Sequence, residues 1–292
     1  EIDTILRTGE LRAKLPGVII PDTVKLTTDI SCAKDKDIVL VGIPVKFVRE
    51  VCNQAKPYVS KESIIVSTSK GLEDGSMKRM SEILKEVFPD NTVAVLTGPS
   101  HAEELGRGIP TAVVVASESI EAAKLIQKTF SDNVLRLYVN SDVIGCEIGG
   151  AIKNVIALCC GVIEGLGLGD NTRAALMTRG LSEITRLGTA MGGKADTFSG
   201  LAGVGDLIVT CTSMHSRNFR AGILIGQGVS PQEAVFRVGT VEGYACAAAA
   251  LKLSKKYDVN MPITEEINRI LFEGKPPKSA IGDLMGRPHG FE

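Results

Sequence analysis

The sequence has no Trp, only four Tyr and eight Phe among 292 residues, and a formal net charge of only −1. Proteins whose main partner is a nucleic acid usually combine a basic surface with aromatic side chains on which bases stack. The composition provides neither feature. We therefore do not expect nucleic acid as a partner.

Metal ligands at useful spacings are also scarce. The three histidines, His101, His215 and His289, are far apart in the sequence, and the seven cysteines include no C-x-x-C pair. Zinc sites are usually built from such short spacings, and an odd set of scattered cysteines is typical of free thiols in a reducing compartment. We expect no metal, buried free thiols and a cytoplasmic location.

Long apolar runs are rare. The most apolar segment, EIGGAIKNVIALCCGVIEG (147–165), carries Lys153 near its middle, and we read it as shorter than the ~20 residues that a membrane-spanning helix needs. We therefore expect no integral membrane contact. A lone lysine on an apolar helix commonly extends its amine to water, so a chemical role for Lys153 requires further evidence.

What is present indicates two domains. The first half alternates β-branched runs with helical stretches, which is typical of a parallel sheet covered on both faces. From about residue 140 the spacing is helical. We predict a doubly wound, Rossmann-like α/β domain over 1–139 and an all-helical domain over 140–292. The expected strands lie in 23–28, 37–44, 63–71, 92–100, 110–117 and 134–139, and the expected helices in 142–164, 172–191, 217–227, 231–236, 241–257 and 263–273.

Ligands of open α/β sheets bind at the carboxyl ends of the strands, so the residues that follow each strand are the first candidates. Lys70 directly follows the run 63–69, although an exposed loop lysine explains it equally well. Ser100 precedes Glu103 at capping-box spacing, which predicts a helix starting at Ser100. Such a helix start can hold an anion, but capping alone is an equal alternative.

The helical half contains a second candidate, GLAGVGDLIVTCTSMHSRNFRAG (200–222). If 206–212 is helical, Asp206 and Thr210 share a face. Ser216, Arg217 and Asn218 supply a hydroxyl, a guanidinium and an amide, and a guanidinium binds phosphate or carboxylate with two hydrogen bonds. A solvated turn that caps the next helix through Ser216 is an equally good interpretation.

Acid–base chemistry on Lys153 requires a lowered pKa, because a free lysine has a pKa of ~10.4. Burial among apolar side chains would lower it, as would a second amine such as Lys70 in the same cleft. Asp206 would oppose part of that shift and orient the amine.

These segments together resemble the bacterial-type NAD(P)-dependent glycerol-3-phosphate dehydrogenases over essentially the whole chain. The resemblance rests on eight segments in the family's order: LPGVIIPDTVKLTTDI, STSKGLE, TGPSHAEELGRGIPTAVVVAS, EIGGAIKNVIAL, GLGLGDNTRAALMTRGLSEITRLG, GLAGVGDLIVTCTSMHSRNFRAG, VEGYA and MPITEEI.

The resemblance implies that dihydroxyacetone phosphate and sn-glycerol 3-phosphate are interconverted with NADH or NADPH, which feeds glycerophospholipid synthesis. It implies that Lys153 is the proton donor and acceptor. The implied substrate contacts are Lys70, Gly98, Ser100, Lys153, Asp206, Ser216, Arg217 and Asn218, and the implied cofactor contacts are Lys70, Ala102, Arg217 and Glu242. A homodimer is possible.

The resemblance is incomplete at its start. The family opens with a strand, a G-x-G-x-x-G turn and a second strand, whereas this sequence opens with the end of a helix and a Pro-Gly turn. In the strand order 3-2-1-4-5-6 those two strands would lie between 23–28 and 37–44. We therefore expect a domain lacking its first two strands, from a longer chain, that binds dinucleotide poorly.

Two alternatives remain. One is a related hydroxyacid dehydrogenase, which also pairs a lysine with an asparagine on the first long helix of its second domain and acts on a carboxylate. The other is a non-catalytic fragment that cannot bind the dinucleotide.

Overall fold

The computed structural model describes residues 1–288, so His289 lies outside the described part of the chain. The expected fold class is confirmed: five strands with intervening helices are followed by a helical region. The first region contains α1 (Ile2–Thr8), β1 (Ile38–Val41), α2 (Val45–Ala55), β2 (Ile64–Ser67), α3 (Met80–Val87), β3 (Val93–Thr97), α4 (Ala102–Leu105), β4 (Thr111–Ser117), α5 (Ile120–Phe130) and β5 (Leu135–Asn140).

The five strands form one sheet in the order β1-β2-β3-β4-β5. The β1–β2, β2–β3 and β4–β5 pairs are parallel as expected, but β4 runs antiparallel to β3, with Ala94 opposite Ser117. Between β3 and β4 the only α-helix is α4, which is a single turn. A parallel crossover normally carries a full helix that returns the chain to the other end of the sheet, and this connection has none.

The strand predicted over 23–28 is wrong, because this segment is irregular and pairs with no other strand. A strand is stabilised by the ladder it joins. Within residues 1–288, β1 pairs only with β2, so no strand joins its other edge. Consequently Leu40 of β1 remains half exposed.

The second region is helical, as predicted. It contains α6 (Val143–Gly165), α7 (Gly169–Ala190), α8 (Ala195–Phe198), α9 (Asp206–Thr212), α10 (Arg217–Gly226), α11 (Pro231–Val238), α12 (Glu242–Lys256), α13 (Pro262–Phe272) and α14 (Pro277–Met285), with a π-helical turn over Leu201–Gly205. The division into domains at residues 139 and 140 stays a prediction.

Helix α6 is the centre of the helical core, and α7, α9, α10 and α12 pack directly against it. Its contact with α10 is the tightest, because Gly161 faces Gly222. A Cβ on Gly161 would lie 2.1 Å from the carbonyl oxygen of Phe219, and one on Gly222 would lie 2.1 Å from that of Leu158. These glycines allow the two backbones to touch, which brings the N-terminus of α10 close to Asn154.

The expectation that the apolar run of α6 is too short to span a membrane is wrong. At 23 residues it is long and apolar enough to cross a membrane by length and composition alone, but 83% of its most apolar window is buried inside the protein. Extensive burial of this kind is typical of a core helix. The cysteines agree with the expected buried thiols except for Cys32, which is exposed.

Two side chains of the sheet region fix α6 to it. The carboxylate of Glu147 accepts hydrogen bonds from the backbone N–H and the hydroxyl of Ser81 and from the guanidinium of Arg79. The side chain of Glu147 is only 7% exposed, and this desolvation raises its pKa. Because Ser81 lies on α3 and Glu147 on the first turns of α6, this contact sets where the buried lysine of α6 meets the strand ends.

Candidate active site

Lys153 does not extend to water. It is 5% exposed, and its Nζ donates hydrogen bonds to Oδ1 of Asp206 and, over 2.8 Å, to the hydroxyl of Thr210. Residues 206–212 are helical, so the condition for Asp206 and Thr210 to share a face is met, and this i, i+4 pair faces α6. The hydroxyl of Thr210 in turn donates to the carbonyl of Asp206. The buried amine is therefore held by groups on one neighbouring helix.

Lys70 reaches the same carboxylate from the sheet. It follows β2, and its Nζ donates to Oδ2 of Asp206 at 2.8 Å and to the carbonyl oxygen of Gly98 at 2.7 Å. The side chain of Asp206 is 1% exposed, that of Lys153 6% and that of Lys70 20%. One buried carboxylate thus bridges two amines, and Lys70 is the more accessible of the two.

The charges of this cluster shift the pKa values in a direction useful for proton transfer. Burial lowers the pKa of Lys153 to about 8, against the opposing attraction of Asp206 and with help from the like charge of Lys70. Burial alone would raise the pKa of Asp206, but the two lysines outweigh it and the pKa is lowered. Lys153 can therefore gain or lose a proton near neutral pH while Asp206 stays ionised.

The loop after β3 closes the cluster from the other side. Gly98 has a φ of 128°, and a Cβ there would lie 3.0 Å from the Cα of Val113. The helix predicted to start at Ser100 instead starts at Ala102, with His101 as its N-cap residue. The Ser100 hydroxyl donates to the Gly98 carbonyl and lies 3.4 Å from the Lys70 amine, so it turns toward the amines and away from the helix N–H groups.

The three residues of the segment 216–218 have different surroundings. Ser216 is buried and caps α10, accepting the N–H of Phe219. Asn218 is also buried: its amide donates to Oδ1 of Asn154, and its Oδ1 accepts the N–H of Gly243. Arg217, the first residue of α10, is exposed. Ser216 therefore caps the next helix as one interpretation expected, but the turn is not solvated, because Ser216 and Asn218 are buried and only Arg217 of the three is exposed.

Glu242 connects the helical region to the start of α2. It is the first residue of α12, and its carboxylate faces the backbone N–H of Val45, which lowers the carboxyl pKa. Burial raises its pKa, while Arg217 is one of the cations that oppose the shift. A Cβ on Gly71 would lie 3.5 Å from Oε2 of Glu242. Glu242 and Lys70 thus lie at the same end of the sheet.

Two residues of this network were not among the predicted site residues. Asn154 holds Asn218, and its amide lies 3.4 Å from the carbonyl of Lys70. Gly243 donates to Asn218. Each directly follows a predicted site residue, Lys153 or Glu242, and this adjacency is the signal that could have identified them.

The structure places two histidines together that are far apart in the sequence. The rings of His101 and His215 have centroids 5.7 Å apart, and Nδ1 of His215 lies 3.9 Å from a carboxylate oxygen of Glu103. Among residues 1–288, no group of three or more His, Cys, Asp or Glu side chains is placed to hold a metal ion.

Comparison with known proteins identifies the family. A family model for the C-terminus of NAD-dependent glycerol-3-phosphate dehydrogenase matches residues 142–282, and the model for its N-terminus matches residues 1–123. The chain belongs to this family.

Relatives of known name agree with the family. A glycerol-3-phosphate dehydrogenase [NAD(P)+] of Moorella thermoacetica is 52% identical over 100% of this chain and 88% of its own length. One of Desulfitobacterium hafniense is 48% identical over 100% of this chain and 84% of its own length. Resemblance to the family therefore covers both regions of the chain.

Solved structures show the same fold. The crystal structure of glycerol-3-phosphate dehydrogenase from Coxiella burnetii is 36% identical, with a TM-score of 0.93 over 98% of this chain and 88% of that one. A ketopantoate reductase from Ralstonia eutropha matches 96% of this chain and 88% of that one, with a TM-score of 0.59 at 12% identity. The second likeness concerns the fold alone.

Proposed function

We propose that this chain interconverts dihydroxyacetone phosphate and sn-glycerol 3-phosphate with NADH or NADPH, and that Lys153 donates and accepts the proton. Membership of the family supports the reaction. The observation that carries the assignment of Lys153 is the buried amine with a pKa of about 8, held by Asp206 beside the strand ends.

The proposed mechanism assigns each amine a separate task. In the reductive direction the Lys153 ammonium donates a proton to the substrate oxygen as negative charge develops there, and in the oxidative direction the neutral amine accepts it. Lys70 stays near the same oxygen and stabilises its charge. The nicotinamide, when bound, supplies or takes up the hydride. Asp206 keeps both amines oriented throughout.

The remaining substrate contacts are proposed from their positions. Arg217 is exposed and lies between the buried residues Ser216 and Asn218. We therefore assign Arg217 to bind the substrate phosphate, and we assign Ser216 and Asn218 to position Arg217 at the start of α10. Gly98 and Ser100 line the opposite wall. Asn218 already uses both ends of its amide, which leaves one N–H for a ligand.

Lys70, Ala102, Arg217 and Glu242 are the proposed contacts of the dinucleotide. The backbone after Lys70 passes close to Glu242, because a Cβ on Gly71 would lie 3.5 Å from Oε2 of Glu242. Equilibrium dialysis with NADH and NADPH measures the affinity for each cofactor, and binding of neither would contradict these assignments.

The substrate test compares dihydroxyacetone phosphate with 3-oxo acids in an NADH oxidation assay. We expect turnover with the phosphate ester, and we expect Arg217→Gln to raise its KM at least tenfold with little change in kcat. Arg220→Gln, on the same helix, is the matched control. Turnover with 3-oxo acids alone would favour the hydroxyacid dehydrogenase.

A cytoplasmic location and a homodimer belong to the same proposal. Six buried free cysteines are compatible with a reducing compartment. Sedimentation of the purified chain tests the dimer.

A further inference from the structure

The helical region contains a large cavity that the proposed reaction does not use. Its volume is about 660 Å³, and helices α6, α7, α13 and α14 line it. Small-molecule sites typically have volumes of ~300–1,000 Å³. The cavity is therefore large enough for a ligand of its own.

This cavity is separate from the lysine cluster. Its wall on α6 includes Cys159, which follows Lys153 by six residues. At ~100° and 1.5 Å per residue, the two side chains point about 120° apart and lie ~9 Å apart along the helix. Neither the two lysines nor Asp206 lines the cavity. A ligand here would contact the other side of the core helix.

The wall of the cavity is aliphatic. It includes Val162, Leu176, Ile267, Ile270 and Leu284, and no aromatic side chain lines it among the described residues. The Cys159 thiol contributes a neutral surface, because burial raises its pKa well above the usual value. Without a ring on which a base or sugar could stack, the space suits a flexible alkyl chain.

The polar groups around the cavity favour an anion at its edge. Arg186 and Arg287 line it and are exposed, and one guanidinium N–H of Arg186 donates to the carbonyl oxygen of Asn260. The two acids that also line it already have protein partners. The carboxylate of Glu183 accepts N–H groups at the start of α13, and that of Glu266 pairs with Arg269 and Lys275.

Helix α14 covers the cavity loosely. Ala280 is its only buried residue, whereas Met285 is 80% exposed although it lines the cavity. An exposed apolar side chain beside an apolar space leaves a route by which a chain can enter.

We propose that this cavity is a second binding site, for a single-chain anionic amphiphile whose alkyl chain lies between α7, α13 and α14 and whose carboxylate or phosphate head lies at Arg186 and Arg287.

The test uses the absence of tryptophan from the sequence. Met285→Trp introduces a single tryptophan at the cavity edge, and thermal unfolding confirms that the variant folds. We expect dodecanoate or dodecyl phosphate, titrated below its micelle concentration, to shift the emission to the blue with saturation at one molecule per chain. Comparing the two distinguishes a fatty-acid head from a phospholipid-type head.

Charge and shape are tested separately. Dodecyltrimethylammonium should bind at least tenfold more weakly than the anions. The double variant Arg186→Gln, Arg287→Gln should weaken anion binding at least tenfold, whereas the control Arg237→Gln should not.

The shape of the cavity is tested by filling it. Ala175→Phe, which narrows the cavity, should abolish binding, whereas Ala190→Phe at an exposed position of the same helix should not.

Calorimetry on the unsubstituted chain provides an independent measurement. No saturable binding in either experiment, equal affinity for the cationic amphiphile, or full binding by a folded Ala175→Phe variant would each overturn the proposal.

Discussion

Strand β1 and helix α6 are both apolar, but only one of them is enclosed. Of the four residues of β1, only Val41 is buried, whereas the buried residues of α6 run almost without interruption from Gly145 to Ile163. The difference arises because β1 has a neighbour on one edge only, while helices surround α6. Burial follows from what packs against a segment, and the hydrophobicity of the segment is only a precondition.

The two lysines of the cluster differ in enclosure in the same way. Lys70 comes from the strand ends and keeps 20% of its side chain exposed, whereas Lys153 comes from the enclosed helix and keeps 6%. Burial lowers the pKa of the enclosed amine to about 8. The comparison therefore predicts which amine transfers the proton and which one supplies charge.

Replacing the enclosed amine should have the largest effect. Lys153→Met is expected to lower kcat by ~10² to 10⁴, the usual contribution of a positioned acid or base. Steady-state assays at saturating substrates measure it, with the exposed Lys252→Met as the control. A folded Lys153→Met enzyme with unchanged kcat would remove the proposed role.

Truncating one side chain in each element tests the difference in enclosure. Ile156→Ala in α6 should lower the free energy of unfolding by ~2–5 kcal/mol, because Ile156 is fully buried. Leu40→Ala in β1 should change it by no more than about 0.5 kcal/mol, as is usual for surface positions. Urea denaturation compares the two, and equal losses would contradict the comparison.

A buried acid of the helical region should make stability depend on pH. Burial raises the pKa of Glu183 from 4.5 to about 7. Between these values the folded state keeps a proton that the unfolded state has lost, so the free energy of unfolding falls as pH rises, by about 3 kcal/mol in total.

Denaturation at pH 5 and pH 8 measures this slope. Glu183→Gln should remove it, although the variant starts less stable because an amide can accept fewer of the hydrogen bonds at the start of α13. The exposed Glu118→Gln should keep the slope. If the slope persists in Glu183→Gln, another group is responsible for it.

The last prediction concerns the pH dependence of the proposed reaction. Oxidation of glycerol 3-phosphate requires the neutral Lys153 amine, so kcat should rise tenfold per pH unit below about 8 and level off above it. Reduction requires the ammonium and should fall above the same pH. Measuring kcat against pH in both directions tests this. If kcat changes near pH 8 in neither direction, the lowered pKa of Lys153 is contradicted.

Most local structure could be predicted from the sequence. Five of the six expected strands and the helices of the second region form where the apolar spacing placed them, because periodicity reports which side of a segment is buried. The i, i+4 relation of Asp206 and Thr210 likewise depends only on helix geometry.

Tertiary structure decided what each segment lies against. The antiparallel direction of β4, the irregular 23–28, the Ser100 hydroxyl turned toward Lys70 and the pairing of Asn218 with Asn154 all depend on partners distant in sequence. The sequence by itself determined the elements and the residue types of the cluster. Only the fold determined that Asp206 meets two lysines in a buried place, because desolvation and charge proximity arise from packing and have no periodic signal along the chain.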